Sequence, residues 1–293
     1  MRGATSAPTG RVLDVVELLA RSGSKQLRFS DVVRELELTQ ATAHAILKTL
    51  CDRGWASRDP VTKTFALGPA LAVVAARTDT ARPLAHAARA AALRVSEAVG
   101  YPGSVVERFE DFLVITAFEG DSATEPSGLP GDRIPYAPPF GVALAAWDTA
   151  EGQREWIRRG AGSDADRARR LEGVLARTRK RGFDVDCTTP ALAQAIQLVG
   201  SLQNDKMPAS VRQIMDQLLV EFTSSGAFFD EVNGRAKQSV VTIAAPVFDQ
   251  RNHVALIVAS HPLCALTARQ IRSIGQRLVE EAALASKAGV LSQ

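Results

Sequence analysis

The chain has 293 residues, 46% of them hydrophobic and 23% charged, with a formal net charge of +3. That length suits two ordinary domains better than one, and the composition is globular rather than fibrous or low in complexity. The longest fully apolar run, Ala70 to Ala76, falls far short of the ~20 residues that span a bilayer. Met1 to Thr9 has no apolar core of the kind a secretion signal carries. The three cysteines, Cys51, Cys187 and Cys264, are too few and too far apart for a disulfide framework, so a reducing cytoplasm is the expected compartment and no membrane partner is expected.

Charge is unevenly placed. Residues 1–77 hold 11 Lys and Arg against 7 Asp and Glu, and the remainder 24 against 25. A modest positive excess on a small N-terminal segment is what attraction to phosphate requires. From Arg11 to Arg21, Val12, Val15, Val16 and Leu19 recur at helical spacing, with Asp14 and Glu17 on another face, and Ser22-Gly23-Ser24 ends the helix. Ser30 offers a side-chain oxygen to cap a second helix, Asp31 to Glu37, with Val32, Val33 and Leu36 turned inward. Leu38 and Thr39 form a short turn, and Thr39 is the expected N-cap of a third helix running from Gln40 to about Arg53.

The third helix carries two stripes. Ala43, Ile46, Leu47 and Leu50 recur at three-four spacing and form a face to be buried, while Gln40, His44 and Lys48, each four apart, form a polar face. Gly54 stops the helix. Trp55 to Arg58 and Lys63 to Leu67 read as short strands joined by the turn Asp59-Pro60-Val61-Thr62. An apolar stripe by itself means core and a polar stripe means a solvated face. Three short helices followed at once by a hairpin, however, is the order of a winged helix-turn-helix, in which the second helix of the pair enters the major groove and the wing holds phosphates.

The stretches Arg11 to Leu19 (RVLDVVELL), Thr39 to Leu50 (TQATAHAILKTL) and Gly54 to Gly68 (GWASRDPVTKTFALG) resemble the DNA-binding domain of IclR-type regulators. The family's recognition helix usually carries a Ser-Thr pair and an Arg, where this chain has Ala41-Thr42 and Ala45. The resemblance therefore implies a double-stranded DNA operator as partner, contacted around Thr39, Gln40, Ala41 and Thr42, with Gln40, His44 and Lys48 as the local base-reading candidates. Gln pairs bidentately with adenine and Lys reaches guanine or phosphate; Arg58 and Lys63 in the wing are read as phosphate contacts. Pro69 to Thr78 is an apolar helix that, in the resemblance, links the domains and pairs with its twin, implying a homodimer or a dimer of dimers. The alternative is that this helix packs on its own domain.

Beyond Arg82-Pro83 the pattern changes. Leu84 to Val99 is an Ala-rich helix ended by Gly100, and Ser104 to Arg108 with Phe112 to Phe118 form a hairpin about Glu110-Asp111. Asp132 to Tyr136 is extended before Pro138-Pro139. Ala143 to Trp147 and Arg167 to Lys180 are helical, and Phe183 to Asp186 is extended. Ser239 to Phe248 and His253 to Ser260 read as strands about the turn 249–252, and Leu266 to Ala285 as a closing amphipathic helix. Helices around one antiparallel sheet make an α+β domain. The expected organisation is a mainly α winged helix-turn-helix over 1–68, a linker helix over 69–81, and an α+β domain with an antiparallel sheet over 82–293.

Ile243 to Pro262 (IAAPVFDQRNHVALIVASHP) resembles the most recognisable stretch of the IclR-type effector domain, a GAF-like sheet holding a ligand pocket. The resemblance implies Pro139, Phe140, Asp186, Thr242, Val258 and Ser260 as ligand positions. Pro139 has no N–H to donate, Val258 replaces a hydroxyl-bearing residue of carboxylate-binding members, and Phe140 adds apolar surface, so the expected effector is larger and more apolar than pyruvate. The bland alternative is a closed pocket in a domain that only dimerises. Asp186 and Thr242 are some fifty-six residues apart where the family has roughly ten; the extra stretch, about 188–238, holds two helical patterns, Ala191 to Leu202 and Val211 to Phe222, and reads as a lid over the pocket or an added oligomer contact.

Other constellations carry less. His253, His261 and Cys264 lack the convergent fourth ligand that zinc needs, so no metal is expected. Asp184, Asp186 and Cys187 have no paired His at a recognisable spacing and read as surface carboxylates. No phosphate loop or dinucleotide fingerprint is present, so no cofactor is expected. The reading that follows is a ligand-responsive DNA-binding regulator and not an enzyme. The competing readings are an enzyme using Asp186 or His261 as acid or base, and a winged helix that binds protein.

Overall fold

The computed structural model describes residues 6–23, 25–120, 130–187 and 237–291. They fall into two compact units, residues 1–82 and 83–293. In the first, α1 (Ala7–Arg21) begins a turn before the apolar pattern does, with Pro in its first turn, where a missing N–H is harmless. Next come β1 (Leu27–Arg28) and α2 (Phe29–Glu35). The second helix starts earlier than Ser30 would set it. Arg28 is the N-cap, and Asp31 accepts its backbone N–H at 2.9 Å. In α3 (Gln40–Asp52) the expected cap is present, with Thr39 Oγ1 accepting from the Thr42 N–H at 3.2 Å. Ala43 is fully buried, and Ile46, Leu47 and Leu50 join Val15, Leu19, Val32 and Phe65 in one core.

The wing is β2 (Ala56–Arg58) and β3 (Thr64–Leu67), turned by Asp59, whose side chain accepts the N–H groups of Val61 and Thr62 at 2.7 and 2.8 Å. Strand β1 makes it three-stranded, in the order β1-β3-β2, through Leu27 opposite Phe65. A two-residue strand has no periodicity to read, and its pairing spans 38 residues of chain. The unit ends in α4 (Ala70–Ala81), on which Val73 and Val74 are exposed. Between wing and α4, Gly68 lies so close to the start of the wing that a Cβ there would sit 2.2 Å from the Gly54 carbonyl oxygen.

The second unit opens with α5 (Pro83–Val99), β4 (Gly103–Phe109), β5 (Phe112–Glu119) and β6 (Arg133–Pro135). Three helices follow, α6 (Val142–Ala145), α7 (Ala150–Ala161) and α8 (Ala165–Arg181), then β7 (Asp184–Asp186). The chain closes with β8 (Lys237–Val240), β9 (Thr242–Phe248), β10 (Val254–Ser260), β11 (Cys264–Thr267) and α9 (Ala268–Leu291). Six strands form an antiparallel sheet ordered β6-β5-β4-β10-β9-β7, and β8 pairs with β11 apart from it. The expected single strand from Ser239 to Phe248 is thus two. The chain bends at Val241, whose N–H is held by the Asp186 carbonyl at 2.9 Å. Helix α7 lies where no helix is expected. The helical patterns at 191–202 and 211–222 lie outside the described residues, as does nearly all of the 188–238 insertion.

The sheet is buried on both faces. Val105, Val185, Ile243, Ala245, Val247, Leu256 and Val258 pack against Ala88, Ala91, Ala92 and Val95 of α5 and Ile271, Leu278 and Ala282 of α9. Alanines on α5 let it approach closely: a Cβ on Gly103 would fall 2.4 Å from the Ala92 carbonyl oxygen. On the opposite face, Val106, Leu113, Ile115, Ala244, Ile257 and Ala259 meet Tyr136, Val142, Leu144, Trp156 and Leu171.

Overpacking a close backbone contact costs about 1–3 kcal/mol, and the atom that a new methyl at Gly68 would meet is backbone, which cannot swing aside. Gly68→Ala is therefore expected to destabilise the first unit by ~2 kcal/mol, read as a lower urea midpoint; an unchanged midpoint would refute the close approach.

Candidate functional site

Each unit presents one candidate surface. On α3, Gln40, Ala41, His44 and Lys48 are exposed, and the buried stripe on the other side of the helix fixes their direction. Lys48 is held to Asp52 at 2.5 Å one turn on, an exposed pair worth little against a competing phosphate. Thr39 and Thr42 are engaged in the cap, their hydroxyls 2.8 Å apart, at the N-terminal end of the same face. In the wing, Arg58 and Lys63 are exposed, the Arg58 guanidinium 5.6 Å from the centre of the Phe65 ring and Lys63 Nζ donating to the Pro60 carbonyl. Val61 stands at the tip, 85% exposed. All eight residues singled out for DNA contact thus lie on α3, its cap or the wing.

In the second unit a cavity of about 100 Å³ lies on the sheet face turned away from α5 and α9. Val106, Leu113, Ile115, Ile134, Ala244, Ile257 and Ala259 floor it, and residues 139–143 cover it. The cover is tied down from behind. Trp156 of α7, fully buried, donates its indole N–H to the Phe140 carbonyl at 2.9 Å, and Gly160 leaves room for Pro138, which a Cβ there would meet at 2.5 Å. The Pro138-Pro139 peptide is cis.

Polar groups gather at one end. Asp186 is opposite Thr242 and Asp184 opposite Ala244 on neighbouring strands. Being two residues apart, the carboxylates share the cavity face while Val185 between them enters the other core. Burial raises Asp184 to about 7, with Arg181 pulling the other way and the charge of Asp186 adding to the rise. His261 also lines the cavity, with Nε2 2.8 Å from Ser104 Oγ, Nδ1 3.3 Å from Thr242 Oγ1, and its ring stacked on Phe118 at 5.5 Å. Burial depresses it to about 4, so the ring is neutral at pH 7. The contact with Ser104 does not make a nucleophile and its base. Ser104 is fully buried, and a hydroxyl rather than a carboxylate stands at Nδ1.

Of the residues singled out for ligand contact, Pro139, Phe140, Asp186 and Thr242 line the cavity; Val258 and Ser260 do not. Strand alternation turns Val258 to the core under α5 and α9, puts Ser260 on that same side, and leaves Ile257 and Ala259 on the cavity face. Asp184, expected at the surface, faces the cavity with Asp186, and Gly141, Val142, Ala143 and His261 are further lining residues. The signal for Asp184 was available as its two-residue spacing from Asp186. His253 and His261 lie at opposite ends of β10, the first exposed and the second buried, and cannot share an ion. Burial pushes the Cys187 thiol up to about 12, away from the thiolate form that acts as a nucleophile.

These two titrating groups oppose each other. Between about pH 4 and 7 the folded chain keeps a proton on Asp184 that the unfolded chain has released, so this contribution to stability falls as pH rises. Over the same range the unfolded chain holds a proton on His261 that the folded chain lacks, so that contribution falls as pH drops. Asp184→Asn removes the first and leaves the second. The stability of the variant relative to the parent is expected to rise from pH 4 to pH 8 in denaturation series; a difference independent of pH would contradict the burial of Asp184.

The sequence profile of the IclR helix-turn-helix domain matches residues 9–60. Comparison with curated protein sequences gives no match. Among solved structures, an IclR transcriptional regulator from Alicyclobacillus acidocaldarius is similar over 98% of this chain and 100% of its own, at 19% identity and a TM-score of 0.64. An IclR homolog from Microbacterium hydrocarbonoxydans, complexed with 4-hydroxybenzoate, is similar over 96% and 100%, at 17% identity and a TM-score of 0.62. The Thermotoga maritima IclR is similar over 95% and 97%, at 13% identity and a TM-score of 0.59. Residues 9–60 thus carry an IclR helix-turn-helix domain, and the chain has, along nearly its whole length, the fold of solved IclR-type regulators.

Proposed function

We propose that this protein is a transcription regulator of the IclR type that reads duplex DNA with the Gln40, His44 and Lys48 face of α3, holds phosphates with Arg58 and Lys63, and answers to a small molecule held in the cavity of its second unit. The observation that carries the reading is the division of α3 into a buried and a bare side beside a wing that carries two exposed cations. A helix so mounted can lie along base edges while the wing follows the backbone. Thr39 and Thr42 stand at the N-terminal end of α3, where backbone N–H groups favour a phosphate, and Ala41 leaves room for one to approach.

The exposed valines of α4 support self-association through that helix, as a homodimer or a dimer of dimers reading paired half-sites. A ligand that binds one dimer geometry better than another then shifts the population toward it. The walls of the cavity support an effector more apolar than pyruvate, and that the Microbacterium homolog holds 4-hydroxybenzoate supports ligand response in this fold. Three free cysteines fit a reducing cytoplasm, and among the described residues no helix is long and apolar enough to cross a membrane. We assign no catalysis to Asp186 or His261.

Binding-site selection followed by mobility-shift titration at several salt concentrations tests the DNA face. Arg58→Ala is expected to weaken all sequences alike and to lower the slope of log affinity against log salt by about one. Gln40→Ala is expected to relax preference at one base position, by ~1–3 kcal/mol of discrimination. Unchanged affinity and slope in both variants would sink the assignment. Phe140→Ala should change the response to effector and leave DNA affinity without effector as it was; equal responses in variant and parent would remove Phe140 from the site.

A further inference from the structure

We propose that the exposed face of α8 is a second contact for the phosphates of duplex DNA, one that reads no base sequence. The inference rests on the reading of the chain as a DNA-binding regulator. Residues 78–293 hold 24 Lys and Arg against 25 Asp and Glu, and α8 alone holds seven of those cations against two of the acids. The rest of that stretch is left with 17 against 23, so its excess of positive charge is gathered on one helix. At ~100° per residue, Arg169, Arg170, Gly173, Arg177 and Lys180 fall on one side of α8, and the four cations among them are exposed. Leu171, Val174, Leu175 and Thr178 are buried on the other side. Of the two acids, Asp166 pairs with Arg169, and Glu172 lies ~60° outside the stripe.

The fold does not account for this stripe. Cations suit the last turn of a helix, which covers Arg179, Lys180 and Arg181 but not Arg169, Arg170 or Arg177. Arg170, Arg177 and Lys180 make no ion pair or hydrogen bond among the described residues, and Asp164 acts on Arg170 through its charge alone. The pair of Arg169 with Asp166 is largely exposed and worth little. Arg177 and Lys180, three apart, repel each other along the helix. Gly173, in the helix interior, forgoes stability that an alanine would supply. A Cβ on it would meet only the Arg177 guanidinium, at 3.2 Å, so packing does not require the glycine. Its bareness instead lets Arg177 lie back over residue 173, toward the turn that carries Arg169 and Arg170. Among the described residues α8 exposes no large apolar side chain on which a partner protein could anchor. Phosphates need only cations. A duplex carries one charge per ~1.7 Å of its axis, so the ~16 Å from Arg169 to Lys180 meets several.

Mobility-shift titrations of the full-length protein test it, on the selected site with long random flanks and over a range of salt concentrations. Arg170→Gln with Arg177→Gln and Lys180→Gln is expected to weaken binding about tenfold or more and to lower the slope of log affinity against log salt by about two to three. Arg251→Gln with Arg269→Gln and Arg272→Gln removes the same charge from exposed positions elsewhere in the second unit, and is expected to leave affinity and slope close to those of the parent. Gly173→Glu separates contact from folding. It supplies a better helix former and a partner for Arg169 and Arg177, four residues away on either side, so the urea midpoint is expected to rise while DNA binding weakens. If the α8 triple variant keeps the affinity and slope of the parent while Arg58→Ala loses them, this inference falls alone. The stripe is then a solvated face or a contact for an acidic protein. Equal losses in the two triple variants put the effect in net charge and overturn it as well. If the parent binds no duplex at all, the inference falls with the reading on which it rests.

Discussion

The second unit depends on one constraint: strand alternation commits each buried residue of its central sheet to one of two cores. Strand β10 shows the consequence, since it lies inside the sheet with β4 on one side and β9 on the other. Its Leu256 and Val258 close on α5 and α9, and its Ile257 and Ala259 form the cavity floor. Slipping the strand by one residue would exchange these sets and leave neither face matched to its partner. The helix side is filled by close packing of small residues, alanines on α5 against Gly103 and its neighbours. The other side is spanned by the 139–143 cover, propped from behind by Trp156. The cavity accordingly lies on this second face.

The same constraint explains what the sequence shows and what it withholds. In the first unit the signals are local. The stripe Ala43, Ile46, Leu47 and Leu50, the cap at Thr39 and the Asp59 turn each state their structure within a few residues, and the structure has all three. Strand β1 escaped, because its pairing with β3 lies outside any local window, and the second helix begins at Phe29 rather than after a Ser30 cap. In the second unit β10 reads VALIVAS, apolar on both faces, so period-two patterning cannot say which residues face the cavity. Resemblance chose Val258 and Ser260, and the register chose their neighbours. Helix α7 was missed although its signal is local: Trp156, Ile157, Gly160 and Ala161 recur at helical spacing on an otherwise strongly polar segment.

The candidate surfaces of the two units differ in their electrostatics. On α3 and the wing the candidate groups are solvated and carry almost no fixed geometry beyond the helix face, and the Lys48 pair with Asp52 is exposed and worth little. In the cavity the polar groups are few, held by strand register, and partly removed from water, so their charge states depend on what they face. A surface of the first kind suits a polyanion approached in many registers. One of the second kind suits a single small molecule.

Asp184 and Asp186 have a second rationale that makes no reference to a ligand. Strand β7 is at an edge of the sheet among the described strands, and inward-pointing charges on edge strands deter the pairing of a further strand. A guard of that kind works best when hydrated and ionised, and one carboxylate suffices. Here both carboxylates lie on the face that is covered by residues 139–143, and burial has raised one of them to about 7. Moving either to the position of Val185 would put a charge into the core under α5 and α9, so register confines them to this side, but it does not require that there be two, or that space be left in front of them. That space, apolar on the floor and polar at their end, is the feature that edge protection leaves unexplained.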